Sequence, residues 1–277
     1  MSVAPIAPAL PHLPVAGAYA RLAEVFPAVR LTEAAPRSGD GWITAADLAG
    51  GGGALDAYLV REDAQIREEQ GRTARPDVTA GFGLHRYAWS ACLLITVPWF
   101  LLRRVPRLPV TDVAHHRDLS LTSARVREFA CLPDDPAAVL PGARVVGGED
   151  ELRAEVRGAL AEHLEPLLTA FRPRMRRGPR ALWGMATDEI VEGLWYAGHL
   201  LGEEARAIAE LETLLPGAVP PFAAGPGFRE LTGPSGQKLP TRDRASCCMY
   251  YTLRPEDTCV TCPRTCDAER VTRLAGN

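Results

Sequence analysis

The chain has 277 residues, of which 47% are hydrophobic and 23% charged, with a net charge of −3. That is enough chain to bury a core without covalent staples, and the balanced charge leaves no electrostatic footprint for DNA or RNA, so nucleic acid is excluded as a partner. Seven cysteines, an odd number with five of them near the C-terminus, do not make a secreted disulfide framework and point to a reducing, cytoplasmic location.

Residues 1–43 read as a proline-rich N-terminal segment. Its start lacks a positive n-region and is broken by four prolines, so no signal peptide is expected. Val15 to Phe26 suits a short helix, Pro27 to Gly41 a linker, and Thr44 the cap of a turn. Gly50 to Gly53 reads as a flexible joint that cradles no phosphate, because the lysine and the strand of a P-loop are missing. Leu55 to Gln70 has one apolar side, Leu55, Leu59 and Ile66, and predicts a helix with Gly71 as its C-cap. Gly81 and Gly83, half of a dinucleotide fingerprint, read as a place of close helix packing.

Ala91 to Leu102 is apolar throughout but too short to span a bilayer, which needs about 20 residues, and Pro98 is expected to kink it. A buried core helix is the expectation. Trp89 and Trp99, with Arg103, Arg104 and Arg107 beyond them, also have the composition of an interfacial anchor, which keeps peripheral contact with the inner face of the membrane open as a second expectation. Val110 to about Val146 predicts a small antiparallel hairpin of three strands, with His115 and His116 as solvated turn residues. Cys92 and Cys131, alone in apolar surroundings, read as small buried hydrophobes.

Glu149 to Phe171 is amphipathic, with Leu152, Val156, Leu160, Leu164 and Leu167 at three- and four-residue spacing. Five arginines follow on an inter-helix loop, Arg172, Arg174, Arg176, Arg177 and Arg180. They read either as a solvated charged loop or as a receiver for an anionic partner, since guanidinium forks pair with oxyanions. Helices are expected over Leu182 to Leu201 and Glu203 to Leu215, broken at Gly202, with Trp183, Trp195 and Tyr196 in the core or, as a second reading, in a pocket wall, and His199 in the core. Pro216 to Pro240 reads as a loop, Met249 to Leu253 as a strand, and Pro263 to Leu274 as a last helix. The fold class that results is α+β: a mainly helical body over residues 44–240 with a small antiparallel sheet, followed by a cysteine-rich segment over residues 241–277.

That segment organises the chain. Cys247 and Cys248 are adjacent, ten residues follow, then Cys259 and Cys262 form a C-x-x-C, and Cys266 lies four further on. Such thiolates suit an iron–sulfur cluster or a structural zinc, and a C-x-x-C disulfide is a third reading. Side chains of adjacent residues diverge in an extended backbone, so Cys247 and Cys248 fit zinc less well than a cluster whose irons and bridging sulfides spread the ligand positions apart. Cys266, if it continues a helix from Pro263, faces the same side as Cys262 and is expected to pack beneath the site, a substitute ligand being the second reading.

The spacing C-C-x10-C-x2-C, preceded by Arg244-Ala245-Ser246, followed by Met249-Tyr250-Tyr251 and closed by Pro263, resembles the FhuF-like ferric siderophore reductases. The resemblance implies a [2Fe–2S] cluster held by Cys247, Cys248, Cys259 and Cys262, and one-electron reduction of siderophore-bound iron(III). Its implied partners are a ferric siderophore and an electron donor such as a ferredoxin, flavodoxin or flavin reductase. The helical body would then bind the siderophore, with the arginine loop or Arg242 and Arg244 supplying charge near substrate or donor. No G-x-S-x-G, H-E-x-x-H or paired-carboxylate pattern competes with this reading, and reduction of a chelate requires none. A zinc-stabilised binding protein and an iron–sulfur redox sensor are the alternatives, the sensor weakened by the lack of a basic recognition helix.

Overall fold

The computed structural model describes residues 13–276, so the first twelve residues, and the signal-peptide expectation with them, lie outside the described residues. Helix formation follows the apolar spacing closely. The elements are α1 (Ala16–Val25), α2 (Ala45–Gly50), α3 (Gly52–Gln70), α4 (Pro76–Leu102), α5 (Glu149–Phe171), α6 (Pro179–Leu200), α7 (Glu204–Leu214) and α8 (Asp267–Ala275). Thr44 caps α2 rather than a bare turn, its hydroxyl accepting from the Asp47 amide at 3.0 Å. The four glycines are no long joint: they end α2 and begin α3, with the break at Gly51. Gly71 closes α3 in the left-handed conformation, as expected.

Helix α4 is the axis of the body. Pro76 and Asp77 start it, proline because its missing N–H is not needed there and aspartate because the helix dipole favours an acid. Every residue from Ala91 to Phe100 is buried, and α1, α3, α5 and α6 pack around it. Gly83 permits the approach of α3: a Cβ there would lie 3.0 Å from Tyr58 Cε1 and 3.1 Å from Leu59 Cδ2. Pro98 has no N–H to offer the carbonyl of Leu94, and the buried Tyr19 hydroxyl of α1 supplies the bond instead, at 2.8 Å. Tyr19→Phe removes that donor and leaves a buried acceptor unpaired; an equilibrium urea titration is expected to read a loss of about 1–3 kcal/mol.

Strands fall where the sequence reads as linker or loop. The strands are β1 (Arg30–Glu33), β2 (Trp42–Thr44), β3 (Arg104–Arg107), β4 (Val113–His116), β5 (Leu121–Ala124), β6 (Glu128–Cys131), β7 (Ala143–Val145), β8 (Phe228–Thr232) and β9 (Lys238–Arg242). The expected linker thus contains β1, and the expected loop after Pro216 contains the β8–β9 hairpin. The three-strand hairpin is also redistributed. β4 and β5 pair antiparallel in a sheet ordered β1-β5-β4-β2, while β6 joins β3 and β7 in a second sheet. Most pairs are antiparallel; β1 with β5 and β6 with β7 are parallel. The class is as read, a mainly helical body with small sheets and a cysteine-rich C-terminal segment, and the physical reason for the relocations is that short strands draw their stability from non-local partners that local composition does not record.

Several side chains depart from expectation for the same reason. His115 and His116 are not solvated turn residues but buried members of β4, on opposite faces: His115 Nδ1 is 3.0 Å from Thr122 Oγ1 and His116 Nε2 is 2.9 Å from the Asp40 carbonyl. Burial pushes the His115 imidazole down to about 4. His199 is outside the core, on the surface beside Glu204 at 2.9 Å, and Tyr196 is 43% exposed. Of the group read as an interfacial anchor, Trp99 is fully buried and Trp89 half-buried, Arg103 and Arg104 are engaged by Glu210 and Asp135, and Arg107 is exposed beside Glu162. Among the described residues no helix is long and apolar enough to cross a membrane.

Candidate metal centre

The cysteine-rich segment is fastened to the helical body chiefly at one buried carboxylate. Asp188, on α6 and fully buried, accepts hydrogen bonds from the amides of Ala245 at 2.9 Å and Ser246 at 2.8 Å, and from Arg242 Nη2 at 2.5 Å. Arg244 adds an ion pair at 3.7 Å. Burial pushes the Asp188 carboxyl above its usual range, while Arg242, Arg244 and the two amides pull it back. Gly184, one turn earlier on α6, lets the loop pass close, since a Cβ there would sit 3.2 Å from the Ala245 carbonyl oxygen. The residues immediately before Cys247 are thereby held against α6.

Arg177 secures the next step. It donates from Nη1 to Ser246 Oγ at 2.9 Å and from Nη2 to the Cys247 carbonyl at 2.5 Å. The Met249 amide points at Cys247 Sγ, 3.4 Å away, in the manner that steadies a thiolate. Met249 to Leu253 is not a strand: Met249 has φ 66°, and a 3-10 turn over Tyr250–Thr252 follows. That turn puts Tyr250 on Phe82 of α4, with ring centroids 6.2 Å apart, and buries Leu253 against Ile66, Ala74 and Val78.

The C-x-x-C half is a knuckle of tight turns, with the Cys262 amide donating to the Cys259 carbonyl and the Thr265 amide to the Cys262 carbonyl, both at 3.0 Å. Arg270 of α8, 2% exposed, holds the two halves together: its guanidinium donates to the carbonyls of Cys262 and Arg242 and to Asp243. Arg273 does the same for Thr258. Helix α8 begins at Asp267, four residues later than the spacing predicts, because the chain from Pro263 is spent on the knuckle. Cys266 therefore precedes the helix instead of continuing it, and it is exposed, not packed beneath Cys262.

Cys262 is buried, Cys247 and Cys248 are half-buried and Cys259 is exposed. Burial pushes the Cys248 thiol up, and the protein around the sulfur does the same for Cys259 even though that residue reaches solvent; the Cys262 thiol adds to this, and Arg244 opposes it for both. Arg244 is thus the cation beside the thiols. Arg242 is not at the surface at all: its side chain is fully buried between Asp188 and Glu192, which rules out the direct contact with substrate or donor expected from the sequence. Among the described residues no three cysteine, histidine or carboxylate side chains converge on one point as they would around a single metal ion. Four thiols spread over two turns, with amides aimed at sulfur, are a donor set that suits two irons and their bridging sulfides.

Cys248, Cys259 and Arg244 line a recess of about 130 Å³ with Phe82, Tyr250 and His85. His85, on α4, went unnoticed in the sequence, where nothing distinguishes it from any histidine in a helix. Its Nδ1 lies 2.7 Å from Oε2 of the buried Glu189, whose charge raises the imidazole above its ordinary range. His85 also lines a second, larger groove of about 800 Å³ between α3, α4 and the β4–β5 turn, walled by Trp89, Tyr58, Arg61, Arg86 and Arg117. In that groove Arg86 and Arg117 are both paired with the buried Glu62, and Arg61 with Asp118. Of the arginine loop, Arg174 pairs with Asp56, Arg177 reaches Cys247 as described, and Arg172, Arg176 and Arg180 are exposed.

Residues 244–264 match the family model of the FhuF 2Fe-2S C-terminal domain, a span that takes in Cys247, Cys248, Cys259 and Cys262. No curated protein matches the chain. The cofactor of this segment is a [2Fe–2S] cluster, as the description of the matching domain states.

Proposed function

We propose that this chain, with a FhuF-type 2Fe-2S domain at residues 244–264, is a ferric siderophore reductase that acts in the cytoplasm. Cys247, Cys248, Cys259 and Cys262 are the proposed ligands, residues 44–240 the proposed siderophore-binding body and residues 241–277 the cluster-binding segment. A [2Fe–2S] cluster supplies a one-electron carrier without acid, base or nucleophile. The single observation that carries the reading is the position of His85, which borders both the recess of Cys248 and Cys259 and the open groove of about 800 Å³.

The groove has the size of a small-molecule site and a mixed lining, aromatic at Trp89 and Tyr58 and charged at its arginines. A ferric chelate seated there would meet His85, held by Glu189 and able to donate a hydrogen bond to a chelate oxygen. Asp188 and Arg177 keep the cysteine loop fixed against α6, and Arg244 compensates negative charge at the thiols. Iron(III) in a siderophore is gripped by hard oxygen donors; one electron makes it iron(II), whose lower charge holds those oxygens less tightly, and the metal is released.

Protein purified without oxygen is expected to contain two irons and two sulfides per chain and to give an S = 1/2 signal after dithionite. Reduced protein mixed with a ferric hydroxamate in the presence of an iron(II) chromophore should then release iron in a single turnover. One zinc per chain with no visible colour would end the redox reading and leave a zinc-stabilised binding protein.

A further inference from the structure

The arginine loop between α5 and α6 has an excess of positive charge that the rest of the molecule does not neutralise. Around it the acids are matched: Asp56 by Arg174, Asp63 by Arg67 and Asp77 by Arg75. Arg172, Arg176 and Arg180 are exposed and have no ion pair or side-chain hydrogen bond among the described residues. Most arginines of this chain are paired, so three unpaired ones within nine residues stand apart. Arg176 is also held at φ +34°, in the left-handed region that a non-glycine residue adopts only when its surroundings impose it. The next residue is Arg177, whose guanidinium donates to Ser246 Oγ and the Cys247 carbonyl. The exposed charge and the cysteine loop are thus one residue apart in the chain and joined by direct hydrogen bonds.

We infer that Arg172, Arg176 and Arg180 form the docking surface for an acidic one-electron donor protein, seated on the loop that touches Cys247. The inference rests on the reductase reading and adds the face from which the electron arrives. On this proposal the donor approaches at Cys247 and the α5–α6 loop, none of whose arginines lines the groove of about 800 Å³ that His85 borders. The donor is oxidised by one electron and the centre held by the cysteines is reduced by one; no bond or proton moves. Exposed guanidinium groups steer an acidic partner and quicken encounter, an effect that salt screens with a Debye length of about 10 Å at 0.1 M. An anionic membrane is the other surface that such charge would attract, but it gives no reason for the neighbouring Arg177 to bind the Cys247 carbonyl.

The test uses the full chain with its cluster and, as probe, an acidic plant-type [2Fe–2S] ferredoxin in its oxidised form, titrated calorimetrically at low ionic strength. The triple variant R172E/R176E/R180E is expected to bind at least about tenfold more weakly and with a flatter salt dependence, while the triple lysine variant keeps most of the affinity. All three side chains are exposed, and an unchanged visible spectrum and circular dichroism establish that the variants are folded. Absence of ferredoxin binding by the wild type, or equal affinity of wild type and glutamate variant, overturns the proposal. So does release of the glutamate variant from phosphatidylserine vesicles when ferredoxin binding is unaffected, which would assign the patch to a membrane. Dithionite-driven iron release by the wild type needs no donor protein, so its failure would count against the reductase reading and leave the docking result standing.

Discussion

Asp188→Ala is expected to cost about 3–5 kcal/mol in an equilibrium urea titration and to produce protein that loses its visible chromophore, because the variant removes the buried carboxylate that accepts from two amides and a guanidinium of the cysteine segment. Asp188 has no exposed surface, and neither does the side chain of its partner Arg242. Deleting the carboxylate leaves that guanidinium buried with only Glu192 and the Pro226 carbonyl, and strands the amides of Ala245 and Ser246 at the threshold of Cys247. Unpaired buried donors cost about 1–3 kcal/mol each, and an unpaired buried charge more. Asp188→Asn separates the contributions: its single carbonyl oxygen retains an acceptor for one of the two amides but not for the other, nor the charge that Arg242 requires, and it should fall between wild type and alanine. A loss under about 1 kcal/mol for the alanine variant would mean that the loop is held to the body by something else, Arg177 being the other side chain that reaches it.

Cys248→Ser is expected to abolish the dithionite-reduced S = 1/2 signal and most of the bound iron, whereas Cys266→Ser should leave both unchanged. Cys248 shares the recess with Cys259 and is influenced by the Cys247 and Cys262 thiols, while Cys266 lies exposed at the start of α8. A serine hydroxyl is a harder and far less acidic ligand than a thiol, so it neither ionises nor binds iron comparably at neutral pH. Iron and sulfide analysis beside EPR decides the outcome. Retention of the signal by Cys248→Ser together with its loss in Cys266→Ser would replace the proposed ligand set by one that includes Cys266.

The cysteine pattern was legible without coordinates, since C-C-x10-C-x2-C is local and metal-ligand spacing is a property of a few consecutive residues. The long helices were legible too. Glu149 to Phe171 ends where its leucine periodicity ends, and Gly71 and Gly202 stop helices through backbone conformations that glycine adopts at little cost.

Residues whose role depends on distant partners were not legible. Arg242 and Arg244 are two positions apart and look alike in the sequence, yet Arg242 is locked between Asp188 and Glu192, while Arg244 lines the recess with Cys248 and Cys259. His199, amid apolar neighbours, turned outward to Glu204, and His115, next to charged residues, turned inward to Thr122. The reason is range. Periodicity, capping and ligand spacing are settled within a turn or two of chain, and they specified the helices and the chemical kind of centre. Burial and ion pairing are settled between segments far apart in sequence, so only the packing of α6 against the cysteine loop decided that Asp188 anchors the centre, and only the packing of α3 on α4 decided that His85 opens onto a groove.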